Sequence, residues 1–266
     1  GFQSEITNKV IGFGGHINIR SYAYVNDYDE ALVAMSPQLQ QQVAALPLVA
    51  HIQPTASKGG MLKTDSQIQG ILLKGVDRSF DTSFFAASMV RGRFPDFTDS
   101  NAKNEVIISQ HLAQKMQLDT GDKARTYFWV GNNYRARALQ IVGIYNTDLT
   151  EFDDHYIIGN ISQIRAINRW DTTAATTYEV LINNFNQLDQ ALAEVKNNTP
   201  PDLAVTSVVE EQPSMFAWLQ LLNSNIVLIL TIMAIVCSAS IVSALLIMIF
   251  EKTSMIGLLK TLGATN

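Results

Sequence analysis

Residues 226–250 read IVLILTIMAIVCSASIVSALLIMIF and hold no Asp, Glu, Lys or Arg. At about 1.5 Å per residue an α-helix of this stretch is about 37 Å long, enough to cross a hydrocarbon core of about 30 Å with some tilt. A buried core helix is the competing reading, but helices of globular proteins run about 8–20 residues. The polar atoms in the stretch belong to Thr231, Ser238, Ser240 and Ser243, with Cys237 among them. Each hydroxyl can bond a carbonyl of its own helix, so lipid need leave none unsatisfied. The stretch lies near the C-terminal end and is too long for a secretory signal. It reads as a transmembrane helix.

Upstream, the chain stays free of formal charge back to Gln212. Pro213 suits a first helical position, and no helix breaker follows it before Gly257. A continuous helix over 213–250 would be about 57 Å long, so 213–225 reads as a stalk projecting beyond the bilayer. On it, Trp218 suits an interfacial aromatic belt. Phe216, Trp218 and Leu219 either line a lateral opening for a lipid-bearing substrate or pack against neighbouring helices. Downstream, Ile256, Leu259 and Leu262 have helical spacing, interrupted by Gly257 and stopped by Gly263. Residues 251–266 therefore read as a short amphipathic helix at the membrane surface. Lys252 and Lys260 follow the span, while the nearest Lys or Arg before it is Lys196. The positive-inside rule then puts the tail in the cytoplasm and the large domain outside.

That domain has enough chain for a sizeable core and for two subdomains. The net charge of −5 comes without a Lys/Arg cluster, which argues against nucleic acid as a partner. The one cysteine lies in the apolar stretch, so cysteine usage does not choose between an oxidising compartment and the cytosol. The chain begins with Gly1 rather than Met and is expected to be an excerpt.

Local patterns indicate an α+β domain. Residues 1–15 read as the outer end of a preceding membrane helix leaving through Gly12-Phe13-Gly14-Gly15, and 16–20 alternate as a strand. Ser36-Pro37 opens a helix with Leu39, Val43 and Leu46 on one face. Strands are expected at 48–52, ending at Pro54, and at 70–76. Another is expected at 105–108, followed by a helix capped by Ser109. Segments 127–130 and 134–144 flank a hairpin turn at Gly131-Asn132-Asn133. Ser162 and Asn186 open further helices, and strands are expected at 178–182 and 203–209.

Little of this carries chemistry. His16, His51, His111 and His155 show no metal-ligand spacing with one another or with Cys237. No G-x-S-x-G elbow occurs, and Gly12-Phe13-Gly14-Gly15 lacks the lysine and spacing of a phosphate loop, so it reads as a turn. Asp148, Glu151, Asp153, Asp154 and His155 either hold a calcium ion or form a solvated loop. The glycine of an EF-hand turn is missing, which favours the loop.

Two motifs point to a family. After the apolar helix come Glu251-Lys252, Ile256-Gly257, Leu259-Lys260 and Leu262-Gly263-Ala264. The pattern E-[KR]-x-x-x-I-G-x-L-[KR]-x-L-G-A in that place resembles the signature of FtsX/MacB-type ABC transporter permeases. At the other end, Gly1-Phe2-Gln3-x-Glu5-Ile6 with Lys9 and Gly12-Phe13-x-x-His16-Ile17 resembles the segment after the first membrane helix of lipoprotein-releasing (Lol) permeases. Gly121-Asp122 through Val142-Gly143-Ile144, then Glu151-Phe152-Asp153, resembles their outer domain.

The resemblance implies a MacB-like periplasmic domain over 16–212, in two α+β subdomains with the inserted one at roughly 85–172. A stalk (213–225), a membrane helix (226–250) and a cytoplasmic coupling helix (251–266) would follow. It implies a non-catalytic inner-membrane subunit, paired with a second permease and with an ATPase that holds ATP and Mg. That ATPase would grip the segment carrying Glu251, Met255, Ile256, Gly257, Leu259, Lys260, Leu262 and Gly263. The expected mechanism is mechanical, with ATP-driven closure transmitted outward to expel a lipoprotein towards a periplasmic carrier. The proline- and arginine-containing hook that some members use to hold the carrier is not found, and Arg91-Gly92-Arg93 is a poor stand-in. The alternatives are a MacB-like exporter of peptides or drugs and an FtsX-like regulator of a cell-wall hydrolase.

Overall fold

The computed structural model describes residues 2–22, 24–26, 29–97, 100–131 and 133–262. It divides into two units, Gly1–Glu211 and Gln212–Asn266. In chain order the first contains α1 (Phe2–Gly14), β1 (Ile17–Ser21), β2 (Tyr24–Asn26), β3 (Asp29–Glu30), α2 (Pro37–Ala44), β4 (Val49–Lys63) and β5 (Ile68–Val76). Next come α3 (Ser83–Ala87), β6 (Met89–Gly92), β7 (Glu105–Ser109), α4 (Gln110–Met116), β8 (Lys123–Val130) and β9 (Asn133–Tyr145). The unit closes with α5 (Thr150–Asp153), β10 (Tyr156–Asn160), α6 (Ile161–Asn168), β11 (Thr177–Ile182), α7 (Leu188–Asn197), β12 (Leu203–Ser207) and α8 (Val208–Glu211).

Side-chain caps start several helices. The Leu39 N–H donates to Ser36 Oγ (3.2 Å) at the head of α2, and the Leu112 N–H to Ser109 Oγ (2.9 Å) at the head of α4. Both agree with the sequence. Two expected caps move by two residues: Asn160 accepts from Ser162 N before α6, and Asn184 accepts from Asn186 N in the turn before α7. An Asx side chain bonding two residues ahead is a turn of its own, and it takes the place of the cap.

The strand at 48–52 was expected to end at Pro54, yet β4 runs on to Lys63. One edge of β4 pairs with β11 over 49–55 and with β8 over 60–63, while the other pairs with β5 from Thr55 onward. Pro54 thus sits just before β5 begins, where the missing N–H breaks no bond on that edge. Because β4 serves both neighbours, the pairs β4–β5, β5–β10, β10–β7, β7–β9, β9–β8 and β8–β4 close a six-strand ring. Beyond the ring the sheet continues from β4 through β11 and β1 to β12.

Leu62, Leu73, Phe128 and Leu139 are fully buried among the ring strands. A Cβ on Gly60 would lie 2.6 Å from the Phe128 ring, so glycine there leaves room for the aromatic side chain. At the hairpin, Val130 pairs with Asn133 and Gly131 has φ +56°; Asn132 lies outside the described residues. On the extended part of the sheet, α2 contributes Leu39 and Val43, and α7 contributes Leu188, Ala191 and Val195, to the same core as Ile17, Ile19 and Val180.

The second unit is one helix, α9 (Pro213–Thr261). It is long and apolar enough to cross a membrane, and none of its apolar window is buried, unlike the core helix of a globular domain. Thr231, Ser238, Ser240 and Ser243 each donate to the carbonyl four residues back, at 2.7–3.0 Å. The interruption expected at Gly257 is absent, and the helix continues through it. A glycine costs a helix about 1 kcal/mol relative to alanine, and Met255, Leu258 and Leu259 around it are strong helix formers.

Candidate functional site

Three places in the chain bear on function, and the first is the end of α1. The glycines of Gly12-Phe13-Gly14-Gly15 favour a turn, and Gly15 takes it with φ +70°. A Cβ on Gly15 would stand 3.0 Å from Glu179 Cβ, so the chain reverses directly on top of that side chain. Phe13, 2% exposed, stacks on Phe152 at 4.7 Å between ring centroids. It also meets Phe85 (5.4 Å), Tyr156 (5.3 Å) and Phe84 (5.7 Å) edge-on.

Beside this box, Lys74 Nζ donates to Glu179 Oε1 (2.5 Å) and to the Phe13 carbonyl, with the two ionic side chains 3% and 6% exposed. Glu179 also accepts from Gln53 Nε2 (3.0 Å) and Thr55 Oγ1 (3.2 Å). The last carbonyls of a helix lack intrahelical donors and carry the negative end of its dipole, so a buried ammonium there is stabilising. None of these residues was singled out from sequence. Their signal was a charge inside an apolar strand run, Lys74 in ILLKGV and Glu179 in TYEVLI.

Next to the same turn lies a cavity of about 540 Å³, bounded by Ile11, His16, His51, Phe80, Phe84 and Ile182 among others. His16 Nδ1 accepts from the Ile182 N–H (3.4 Å), and burial lowers its pKa from 6.5 to about 4. His51 Nε2 lies 2.6 Å from the Ser79 carbonyl. Both rings are thus engaged with backbone.

The acidic group does not converge. Asp153 is buried and accepts from Thr147 N (3.1 Å) and Oγ1 (2.8 Å). Burial raises its pKa, and the Thr147 bonds oppose the rise. Asp148 accepts from Asn146 Nδ2 (2.8 Å), and Asp154 pairs with His111 Nδ1. His155 faces the Gly70 carbonyl. Among the described residues no three His, Cys, Asp or Glu side chains could hold a metal ion. Part of this segment is the short helix α5 rather than a solvated loop.

The third place is α9. Phe216 is partly exposed, Trp218 is 50% exposed and Leu219 is buried. Glu251, Met255, Ile256, Gly257, Leu259 and Leu262 all lie exposed near its end. The Leu262 N–H still bonds to the Leu258 carbonyl (3.3 Å). Lys260 belongs to the helix, and Gly263 lies outside the described residues.

The family model of the MacB-like periplasmic core domain matches residues 1–198. The lipoprotein-releasing system transmembrane protein LolC of Neisseria meningitidis serogroup B is 24% identical over 287 residues, covering 99% of this chain and 63% of that protein. LolC of Haemophilus influenzae is 23% identical over 195 residues, covering 71% of this chain and 46% of that protein. The chain therefore spans less than two thirds of the length of either relative. A crystal structure of the periplasmic region of MacB from Actinobacillus actinomycetemcomitans superposes with a TM-score of 0.49 at 11% identity, over 77% of this chain and 95% of that one. By the match over residues 1–198, and in agreement with its opening and tail motifs, the chain belongs to the MacB-like periplasmic core domain family.

Proposed function

We propose that the chain is the outer domain and following membrane helix of an ABC transporter permease that releases lipoproteins from the outer leaflet of the inner membrane. The observation that carries this reading is the LolC alignment, which runs along 99% of the chain and so includes the apolar helix as well as the domain. The permease itself is non-catalytic: ATP and Mg belong to a cytoplasmic ATPase, and a second permease completes the dimer. Residues 16–212 are the periplasmic domain, with the inserted subdomain at roughly 85–172. Residues 1–15 end a preceding membrane helix, 213–225 form the stalk, and 226–250 cross the membrane.

Within 251–266, Glu251, Met255, Ile256, Gly257, Leu259, Lys260, Leu262 and Gly263 take up the ATPase's motion. Their apolar members lie exposed on a helix, as a partner surface requires. Phe216, Trp218 and Leu219 border the path of the acylated substrate.

The test is reconstitution of the full-length permease with its ATPase in lipoprotein-loaded proteoliposomes. ATP-dependent release is expected, and Met255→Asp should abolish it by placing a charge in the apolar contact. A purified, ATP-hydrolysing complex that releases no lipoprotein would refute the reading. The family model favours one second reading, a MacB-like exporter. Drug or peptide sensitivity on deletion, with lipoprotein sorting intact, would select it.

A further inference from the structure

By sequence, Gly12-Phe13-Gly14-Gly15 reads as a turn leaving α1, and glycine gives the backbone its greatest freedom. The structure encloses that point in aromatic rings and sets a buried ion pair beside it. Phe13 is enclosed by rings from α3 (Phe84, Phe85), β9 (Tyr145), α5 (Phe152) and β10 (Tyr156). Lys74 of β5 holds the Phe13 carbonyl and is itself held by Glu179 of β11, which Gln53 and Thr55 of β4 fix in place. Gly12 adds a close approach, since a Cβ there would fall 2.3 Å from the Phe84 ring. The last turn of α1 therefore touches ring strands β5, β9 and β10, and the turn at Gly15 that follows it lies against Glu179 of β11 in the extended sheet. Aromatic packing and a buried ion pair are stiff elements: a packed interior has no slack, and a buried charge cannot leave its partner without a large penalty.

We propose that this cluster is a rigid joint that fuses α1 to both halves of the sheet, with Phe13 and Lys74 as its positioning residues. A displacement arriving along α1 then moves the outer domain as one body instead of being absorbed at the glycines. The inference rests on the reading that α1 continues a membrane helix of a permease. It concerns a different property, the stiffness of one junction, and can fail separately.

The experiment uses the full-length permease, co-expressed with its ATPase and held in nanodiscs, with Cys237→Ser and spin labels at Gln3→Cys on α1 and Gln114→Cys on α4. Both positions are exposed. The parent protein is expected to give one narrow inter-label distance, unchanged between the nucleotide-free and vanadate-trapped states. Phe13→Ala is expected to broaden that distribution and to lower lipoprotein release roughly tenfold while ATP hydrolysis stays within about twofold. A merely structural loss would lower both together. If Phe13→Ala does not fold, Lys74→Gln, which keeps a donor for the Phe13 carbonyl but removes the charge, carries the same comparison with a smaller broadening. A parent distance that shifts with nucleotide, or a folded variant with unchanged width, would overturn the joint. Absence of release by the parent would count against the permease reading alone, because the distribution widths still decide the joint.

Discussion

Removing one partner of the Lys74–Glu179 pair should cost the outer domain more than half of what removing both costs. Lys74→Met leaves Glu179 buried at 6% side-chain exposure with two neutral donors, Gln53 and Thr55, and leaves the Phe13 carbonyl without its ammonium. An uncompensated buried charge of this kind costs about 3–5 kcal/mol. Glu179→Gln leaves Lys74 with the Phe13 carbonyl, a neutral amide and the Phe80 ring at 5.4 Å, and the cost is of the same order. In the double variant no buried charge remains. What is lost is a donor to the Phe13 carbonyl and one acceptor for the Gln53–Thr55 pair, each about 1–3 kcal/mol. The singles should therefore sum to more than the double, with a coupling of about 3 kcal/mol. Urea unfolding in detergent, followed by the fluorescence of Trp129 and Trp170 in a Trp218→Phe background, measures all four corners of the cycle. A coupling below about 1 kcal/mol, the value for a solvated surface pair, would refute the claim that this pair is buried and tightly engaged.

The remaining predictions are more local. His16 has its pKa lowered from 6.5 to about 4 by burial, so the unfolded chain binds the proton first as the pH falls. Stability from this group is complete above about 6.5 and declines towards pH 4, and His16→Gln should flatten that part of the profile; a proton-NMR midpoint near 6.5 would contradict it. The raised pKa of Asp153 acts with the opposite sign at the acid end, so the difference between the two profiles is the quantity to read. Gly75→Ala would set a Cβ 2.7 Å from Ile161 Cα, a backbone atom of α6. The helix must move, at about 1–3 kcal/mol, and an unchanged melting temperature would show that α6 yields freely. Trp218→Ala in the reconstituted system should slow lipoprotein release with ATP hydrolysis retained, and equal release would remove this residue from the substrate path.

How much was legible in the sequence depended on whether a signal was local. Ser36 and Ser109 cap their helices as expected because an N-cap bond spans only three residues. The sequence places the boundaries at Ser162 and Asn186, two residues beyond Asn160 and Asn184, because an Asx turn at the earlier residue takes up the N–H of the expected cap. The passage of β4 through Pro54 was not legible: it depends on which edge of the strand is paired at that residue, and its partners lie in β5, β8 and β11. For the same reason α3, β6 and β10 went unread. They are short, and contacts distant in sequence stabilise them.

For function, the tail and opening motifs identified the family, because local residue order records them. The joint around Phe13 escaped notice, since its rings come from five elements and Lys74 and Glu179 stand 105 residues apart. The apolar stretch 226–250 needed no tertiary structure. An uncharged run of that length has one low-energy solvent, hydrocarbon, and one way to satisfy its backbone there, a helix. What surrounds the glycine-rich end of α1 was decided only in three dimensions. Glycine sets how freely a backbone can turn, but packing and buried charge set whether it does.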